Sequence, residues 1–224
     1  MTRIKPNSSI LYFGILLGLF ALLTGCIDLA PSKSLAQQKG YRFLNQAQVF
    51  VMRGGLGGVF STGMNHLQTT LERQYRIKAE STVWYKAEAL SHYIMTHYGK
   101  KSLPGPIILV GHSLGANEQI KVARSLEKSH IPVALIITID AVSPLAVPSN
   151  VKKIVNIYKP GYVPLFSGQL IQVMDAQKTQ LENINVTNIK TNTVNHFTID
   201  KNSAIQQLMV QEILAAVKHS KSHY

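Results

Sequence analysis

A serine hydroxyl stands between two glycines in the stretch Gly111-His112-Ser113-Leu114-Gly115. The apolar run 107–110 precedes this stretch and a helix-forming run follows it, so Ser113 lies where a predicted strand turns sharply into a predicted helix. Such a turn strains the serine backbone and lifts its hydroxyl above the sheet, and any larger residue in place of the glycines would strike the neighbouring elements. We therefore predict that Ser113 is a nucleophile.

A serine hydroxyl needs a base that takes up its proton. Seven of the eight histidines stand in predicted helices, next to the serine, in a loop or in the charged tail, namely His66, His92, His97, His112, His130, His219 and His223. His196 alone follows the last strand-like segment and directly precedes the final helix. Because a base can reach Ser113 from that position, His196 is the predicted base.

The base in turn needs a carboxylate that fixes its tautomer. Asp140 directly follows the apolar run 134–139, at the carboxyl edge where open α/β sheets place their sites. It also completes the order Ser, Asp, His along the chain. Asp175, in a polar segment, is the alternative. We favour Asp140 because a strand end holds its geometry better than a loop does.

Charge that develops on a substrate carbonyl oxygen needs two backbone N–H donors, an oxyanion hole. We expect one donor from Leu114, the residue after the nucleophile. The other is expected from the glycine-rich stretch 54–58, with Gly55 or Leu56 as the donor, because glycines let a substrate approach the backbone closely. No Gly-Lys-Ser/Thr follows this stretch, and its spacing matches no dinucleotide fingerprint, so a phosphate-binding role is disfavoured.

Short apolar runs alternate with amphipathic stretches along residues 46–218. Strands are predicted at 48–52, 78–85, 107–110, 133–139 and 151–158, and helices at 62–75, 86–98, 115–128 and 202–218. Residues 160–195 are rich in Asn, Gln and Thr and are predicted to be irregular. The alternation predicts an α/β fold with a mostly parallel sheet of about five or six strands and helices on both faces.

Taken together, these residues resemble the α/β-hydrolase superfamily over 46–218. The glycine-rich loop, Gly-His-Ser-Leu-Gly-Ala, the strand-end Asp and the late His stand in the family's order. Residues 54–61 and 195–200 look like a group of small bacterial exported hydrolases related to lipases and thioesterases. The predicted fold begins at what would be a later strand of the full family fold, as in minimal cutinase-like versions. The predicted acid follows a strand one earlier than the strand that usually precedes it in the family. The resemblance implies hydrolysis of an ester or thioester through an acyl-enzyme, with no metal or organic cofactor.

The amino-terminal residues have the pattern of an export signal. Arg3 and Lys5 precede an apolar run of 14 residues, 10–23, which is shorter than the roughly 20 that span a bilayer. Leu23-Thr24-Gly25-Cys26 follows and resembles the bacterial lipobox, which implies cleavage before Cys26 and a lipid on its thiol. An ordinary signal peptide or an anchor helix is the alternative. We divide the chain into a signal peptide (1–25), a polar tether (26–45), a hydrolase domain (46–218) and a tail (219–224).

The lipobox resemblance also implies a location. A lipid on Cys26 would tether the protein to a membrane of the bacterial envelope. Ile27, which is not Asp, points to the outer membrane in a host that has one. The chain carries a net charge of +12, and loss of Arg3 and Lys5 with the signal leaves 12 − 2 = +10. Such a charge suits anionic lipids or acidic substrates, while the scattered Lys and Arg disfavour nucleic acid.

The remaining composition narrows the class of protein. A length of 224 residues suits one core, and the single cysteine permits neither an intramolecular disulfide nor a Cys-based metal site. Three alternatives to a hydrolase stay open: an acyltransferase that uses the same residues, a lipid-anchored envelope protein that binds without turnover, and a basic lipoprotein that binds anionic polymers. The oligomeric state and the exact substrate do not follow from the sequence.

Overall fold

The computed structural model describes residues 32–38, 40–44, 46–100, 103–163, 167–189 and 194–221. The predicted signal peptide, Cys26 and residues 222–224 lie outside these ranges. Within them, no helix is both long and apolar enough to cross a membrane.

Strands and helices alternate along the described chain, as the sequence predicts. The strands are β1 (Gln48–Arg53), β2 (Lys78–Val83), β3 (Ile107–His112), β4 (Leu135–Ile139), β5 (Lys153–Tyr158) and β6 (Gln180–Asn185). The α-helices are α1 (Thr62–Tyr75), α2 (Ala87–His97), α3 (Leu114–Lys128) and α4 (Ser203–Lys221). Short 3₁₀ turns cover Leu56–Gly58, Trp84–Lys86 and Ile199–Lys201.

The six strands form one sheet in the order β2-β1-β3-β4-β5-β6, and every neighbouring pair is parallel. Strands β1, β3 and β4 are buried along their whole length, which explains why they read as continuous apolar runs. Because all strands point the same way, their carboxyl ends share one edge of the sheet. The predicted fold class, a parallel α/β sheet of about six strands, is confirmed.

Helices cover both faces of the sheet and enclose two cores. On one face α1 and α4 bury side chains such as Leu67 and Met209 against the sheet. On the other face α2 and α3 bury side chains such as Ile94 and Ile120. Met64, Leu67 and Leu71 are three or four residues apart, so they lie on one face of α1, and that face is buried.

Several local predictions differ from the structure, most of them by one to three residues at the ends of an element. The strand predicted at 78–85 ends at Val83, and a 3₁₀ turn takes its last two residues. The prediction that residues 160–195 are irregular is wrong for Gln180–Asn185, which form β6. This edge strand pairs only with β5 and is largely exposed, so its sequence lacks the apolar run that marks a buried strand.

Residues 32–38 and 40–44, the described part of the predicted tether, lie along α1. The Ser34 hydroxyl donates to the Glu72 carboxylate, and both residues are buried. The Tyr41 hydroxyl donates to the Glu72 carbonyl oxygen, and the Arg76 guanidinium lies 4.6 Å above the Tyr41 ring. These contacts fasten the segment to the carboxyl-terminal end of α1.

Candidate active site

Ser113 occupies the sharp turn between β3 and α3. Its backbone angles, φ 58° and ψ −125°, lie in a region that non-glycine residues rarely adopt. A Cβ built on Gly111 would lie 2.5 Å from the Gly115 carbonyl oxygen, and one on Gly115 would lie 2.4 Å from the Met52 carbonyl oxygen. The two glycines therefore allow the strand, the turn and the helix to pack together, and the turn presents the hydroxyl at the carboxyl edge.

His196 stands on the loop that leads into the 3₁₀ turn before α4. The Asn195 carboxamide oxygen accepts the Phe197 N–H at 2.9 Å, and the Asn195 carbonyl oxygen accepts the N–H groups of Thr198 and Ile199 at 3.0 and 2.9 Å. These bonds hold the loop in a tight turn. The imidazole is buried, and its Nε2 lies 2.9 Å from Ser113 Oγ.

Asp140 follows β4 directly and is fully buried. Its Oδ2 lies 2.8 Å from His196 Nδ1, and its Oδ1 accepts the Lys159 N–H at 2.7 Å. Since a carboxylate oxygen accepts, the proton of the neutral imidazole belongs on Nδ1, and Nε2 is left to accept the Ser113 proton. The backbone φ of Asp140 is 50°, a value that Asp tolerates better than most residues do.

Asp175, the alternative acid, lies in a turn that precedes β6. Its Oδ1 accepts the Gln177 N–H at 2.9 Å, and its Oδ2 lies 3.6 Å from Lys178 Nζ. Because β6 begins only at Gln180, this turn belongs to the amino edge of the sheet, opposite the edge that holds His196. The structure thus brings Ser113, His196 and Asp140 together and places Asp175 elsewhere.

The predicted oxyanion donors lie on two adjacent segments. Leu114 is the first residue of α3, where backbone N–H groups lack an intrahelical acceptor and the helix dipole favours negative charge. A Cβ built on Gly55 would lie 3.3 Å from Leu114 Cδ1, so the glycine-rich loop runs beside the helix start. A Cβ on Gly54 would lie 2.8 Å from Ser113 Cβ, so only glycine permits that approach. The N–H groups of Leu114, Gly55 and Leu56 remain the candidates for the hole.

A buried hydrogen-bond chain links the glycine-rich loop to the His196 backbone. His112 Nε2 lies 2.9 Å from the His196 carbonyl oxygen, which can only accept, so the His112 proton belongs on Nε2. Its Nδ1 therefore accepts from the Ser61 hydroxyl at 2.8 Å, and Ser61 Oγ accepts the Gly54 N–H at 3.0 Å. Burial above all, and then the adjacent His196 ring, lowers the pKa of His112 from 6.5 to about 3. This neutral ring holds the backbone of the base in place.

Two residues of the β5–β6 connection hold the acid. The Lys159 N–H donates to Asp140 Oδ1, while its ammonium group donates to the Val194 carbonyl oxygen two residues before the base. Gly168 packs directly on the carboxylate, since a Cβ there would lie 2.2 Å from Asp140 Oδ1. Sequence reasoning missed Ser61, Lys159 and Gly168, because their roles depend on contacts between distant segments. The only available signal was that Ser61 and His112 lie within the predicted motifs 54–61 and 111–115.

A second buried carboxyl group lies at the start of α1. Asp200 Oδ2 accepts the Gly63 N–H at 2.8 Å, and a Cβ on Gly63 would lie 2.1 Å from the Asp200 carbonyl oxygen. Burial raises the pKa of Asp200 from 3.8 to about 7, against the opposing effects of Lys201 and of the Gly63 N–H. The contact joins α1 to the segment that carries His196.

Across the described ranges, no group of three or more His, Cys, Asp or Glu side chains could hold a metal ion. Two grooves of the described chain lie away from Ser113. One runs between α1 and α4 with a volume of about 520 Å³, and the other lies at the amino edge with about 450 Å³.

Comparison with solved structures identifies the fold. An arylesterase structure matches with a TM-score of 0.53 at 12% identity, over 80% of this chain and 78% of that one. An esterase from Pyrobaculum calidifontis matches with a TM-score of 0.50 at 12% identity, over 98% and 95% of the two chains. The chain has an α/β-hydrolase fold. At this identity the likeness shows the fold alone, and no family model and no curated protein matches the sequence.

Proposed function

We propose that this α/β-hydrolase-fold protein is a membrane-tethered serine hydrolase that cleaves carboxylic ester or thioester bonds through an acyl-enzyme on Ser113. The observation that carries the proposal is the row of hydrogen bonds from Ser113 Oγ to His196 Nε2 and from His196 Nδ1 to Asp140 Oδ2. Such a row has the geometry of a nucleophile, a base and the group that orients the base. Two of the similar structures are named as esterases, which agrees with this chemistry.

The first half of the reaction forms the acyl-enzyme. His196 Nε2 accepts the hydroxyl proton as Ser113 Oγ bonds to the carbonyl carbon of the substrate. The Leu114 N–H and the N–H of Gly55 or Leu56 donate to the resulting oxyanion, and Asp140 stabilises the imidazolium. The bond to the leaving group then breaks, and the leaving alkoxide or thiolate takes the proton from Nε2. The alcohol or thiol departs, and the acyl group stays on Ser113.

The second half releases the acyl group. A water molecule gives a proton to His196 Nε2 as its oxygen attacks the acyl carbonyl, and the same amides stabilise the second oxyanion. The bond to Ser113 Oγ breaks, the serine recovers its proton from Nε2, and a carboxylic acid leaves. In an acyltransferase an alcohol or amine of an acceptor would take the place of water, with the same residues in the same roles.

The nucleophile is tested with a fluorophosphonate probe and with short p-nitrophenyl esters. Ser113→Ala should abolish probe labelling and leave only the residual ~10³-fold catalysis over water that binding and an oxyanion hole supply. Ser129→Ala, which removes an exposed hydroxyl at the end of α3, is the matched control and should keep both activities. Unchanged labelling and turnover in Ser113→Ala would show that the proposed mechanism is wrong.

The tether is tested separately at Cys26. Mass spectrometry of the mature protein should find its amino terminus at residue 26 with a lipid on the thiol. Cys26→Ser should leave an unprocessed or unlipidated protein that no longer fractionates with membranes. An unmodified terminus at another residue would contradict the tether and leave the proposed hydrolase chemistry untouched.

A further inference from the structure

The carboxyl edge that holds Ser113 also carries exposed apolar side chains. They stand on the loops that follow β1, β2 and β5 and on the loop before α4, and we call them the apolar rim: Leu56, Phe60, Tyr85, Tyr162, Val163 and Phe197. The rings of Phe60 and Phe197 lie 4.9 Å apart, and Phe197 lies 5.5 Å from the His196 ring. Exposed apolar groups gathered around one site indicate a surface that is covered in use.

The segment before the domain runs along α1, with its earlier residues nearer this edge. Three of its backbone amides donate to successive points of α1: Ser32 to Asn65 Oδ1 (3.4 Å), Leu35 to Glu72 Oε2 (3.0 Å) and Leu44 to the Arg76 carbonyl oxygen (2.9 Å). The segment therefore runs in the same direction as α1. Since α1 begins beside the carboxyl edge and ends at the amino edge, Ser32 lies nearer the active site than Leu44 does.

The length of chain before Ser32 limits where a lipid on Cys26 can be. Five residues, 27–31, lie between the two positions, and even a fully extended chain spans at most about 3.6 Å per residue, or roughly 20 Å over the steps from Cys26 to Ser32. The contact of Ser32 with Asn65 lies about 5 Å from the start of α1 and about 15 Å from its amino-edge end, because a helix rises about 1.5 Å per residue. A lipid on Cys26 can therefore hold the carboxyl edge close to the membrane, and the surface of the protein decides which edge docks.

Charge favours an orientation in which the carboxyl edge faces the membrane. Lys86 and Lys201 are exposed beside the apolar rim, and Glu88 is an exposed acid near Lys86. Asp140 and Asp200 are fully buried. Without the signal peptide the chain has a net charge of 12 − 2 = +10, which attracts it to an anionic lipid surface, and lysines beside apolar groups suit the headgroup region of a bilayer.

We propose that the apolar rim docks on an anionic lipid bilayer, so that Ser113 faces the membrane and acts on acyl esters of membrane lipids. The inference rests on the proposed hydrolase function for its substrate and on the lipid at Cys26 for its anchor. The occupant of the rim is the bilayer itself, because the rim is apolar, the exposed lysines Lys86 and Lys201 stand beside it, and the chain from Cys26 is long enough to let this edge reach the membrane.

The orientation is tested by fluorescence depth measurements on the full-length lipidated protein in vesicles of phosphatidylglycerol and phosphatidylethanolamine. Cys26 is the only cysteine, and its acylation leaves an introduced thiol as the single labelling site. Brominated lipids should quench a fluorophore on Tyr162→Cys and leave one on Tyr75→Cys, at the amino-edge end of α1, unquenched. Equal quenching at both positions, or quenching at neither, would overturn the orientation.

The substrate is tested with the double variant Tyr162→Ser/Val163→Ser. Loss of two membrane-facing side chains should lower hydrolysis of vesicle lipids by about tenfold or more, and hydrolysis of a soluble short p-nitrophenyl ester should stay within about twofold of the original rate. Tyr75→Ser is the matched control and should leave both rates unchanged. Parallel losses on both substrates would contradict the proposal.

Two further readouts separate the possible failures. Fluorophosphonate labelling of the same samples reports on Ser113 alone. Protein that is labelled but whose rim does not dock would contradict the docking inference and not the proposed hydrolase function. Unlabelled protein would instead contradict the proposed function. Sedimentation in detergent tests the other occupant, since a dimer that Tyr162→Ser/Val163→Ser dissociates would show that a second copy covers the rim.

Discussion

Ser113, the proposed nucleophile, is held differently from His196 and Asp140. Ser113 is held by its own chain neighbours, because a strand ends before it, a helix begins after it, and the flanking glycines admit the close packing of that turn. His196 and Asp140 are held by residues far away in the sequence. Asp140 depends on Lys159 and Gly168, and the His196 backbone depends on His112.

This difference implies that the stability of the fold and the alignment of the three site side chains depend on different contacts. The Ser113 turn is built into the centre of the sheet, where a Cβ on Gly115 would meet the backbone of β1 at 2.4 Å and nothing nearby could yield. The supports of His196 and Asp140 lie in loops at the edge of the sheet, which can shift without unpacking the core. We therefore expect that changes in the distant supports reduce turnover and leave the fold intact.

The largest effect should come from the acid itself. Asp140→Asn keeps the side-chain shape and a residue type that tolerates positive φ, but removes the charge that fixes the His196 tautomer. Turnover of p-nitrophenyl esters should fall by on the order of 10⁴ in kcat while thermal unfolding shows a folded protein. Asp175→Asn is the matched control and should cost far less. A large loss confined to Asp175→Asn would overturn the assignment of Asp140.

A smaller effect is expected where the acid is only displaced. Gly168→Ala forces the Asp140 carboxylate away from a Cβ that would lie 2.2 Å from Oδ1, and a misplacement of about 1 Å can cost on the order of 10² in rate. Gly161→Ala, in the same connection, is the control, because its Cβ would come close only to Ser167, at 2.6 Å from Oγ and 3.3 Å from Cβ, and not to the Asp140 carboxylate. Similar kinetics for the two variants would argue against a role for Gly168 in holding the carboxylate.

The smallest effect concerns stability and its dependence on pH. Asp200 has a pKa raised by burial to about 7 in the folded chain, against 3.8 ordinarily. Between about pH 4 and 7 the folded chain therefore binds one proton more than the unfolded chain, and the stability that this proton contributes is lost as the pH rises through 7. Asp200→Asn should remove this loss. The melting temperature of the variant minus that of the original protein should therefore increase from pH 5 to pH 8.

A second substitution separates the charge from the hydrogen bond at this position. Asp200→Ala also removes the titration, but it leaves the Gly63 N–H without its acceptor. It should lose the same pH dependence and be less stable than Asp200→Asn at every pH, by about 1–3 kcal/mol for a buried donor left unsatisfied. A melting temperature that falls with pH in both variants as it does in the original protein would show that another group titrates.

Most of the secondary structure could be predicted because its signal is local. The helix at 62–75 has its predicted bounds, and the buried strands stand where apolar runs indicated them. The strand β6 could not be found in this way, because polar contacts fix it. The Asn183 carboxamide bonds to both backbone groups of Ile171 at 3.1 Å and accepts from Asn156 at 2.7 Å. A polar edge strand and a loop have similar compositions, so only its partners distinguish them.

The sequence by itself determined the parallel α/β fold and the candidates Ser113, His196 and Asp140, because periodicity, glycine spacing and chain order are properties of neighbouring residues. Only the tertiary structure decided that Asp140 and not Asp175 meets His196, since that choice depends on which edge of the sheet each carboxylate occupies. It also brought Ser61, Lys159 and Gly168 to the site. Contacts between segments many residues apart leave no spacing pattern in a single sequence, because any polar residue or glycine at those positions has the same local appearance.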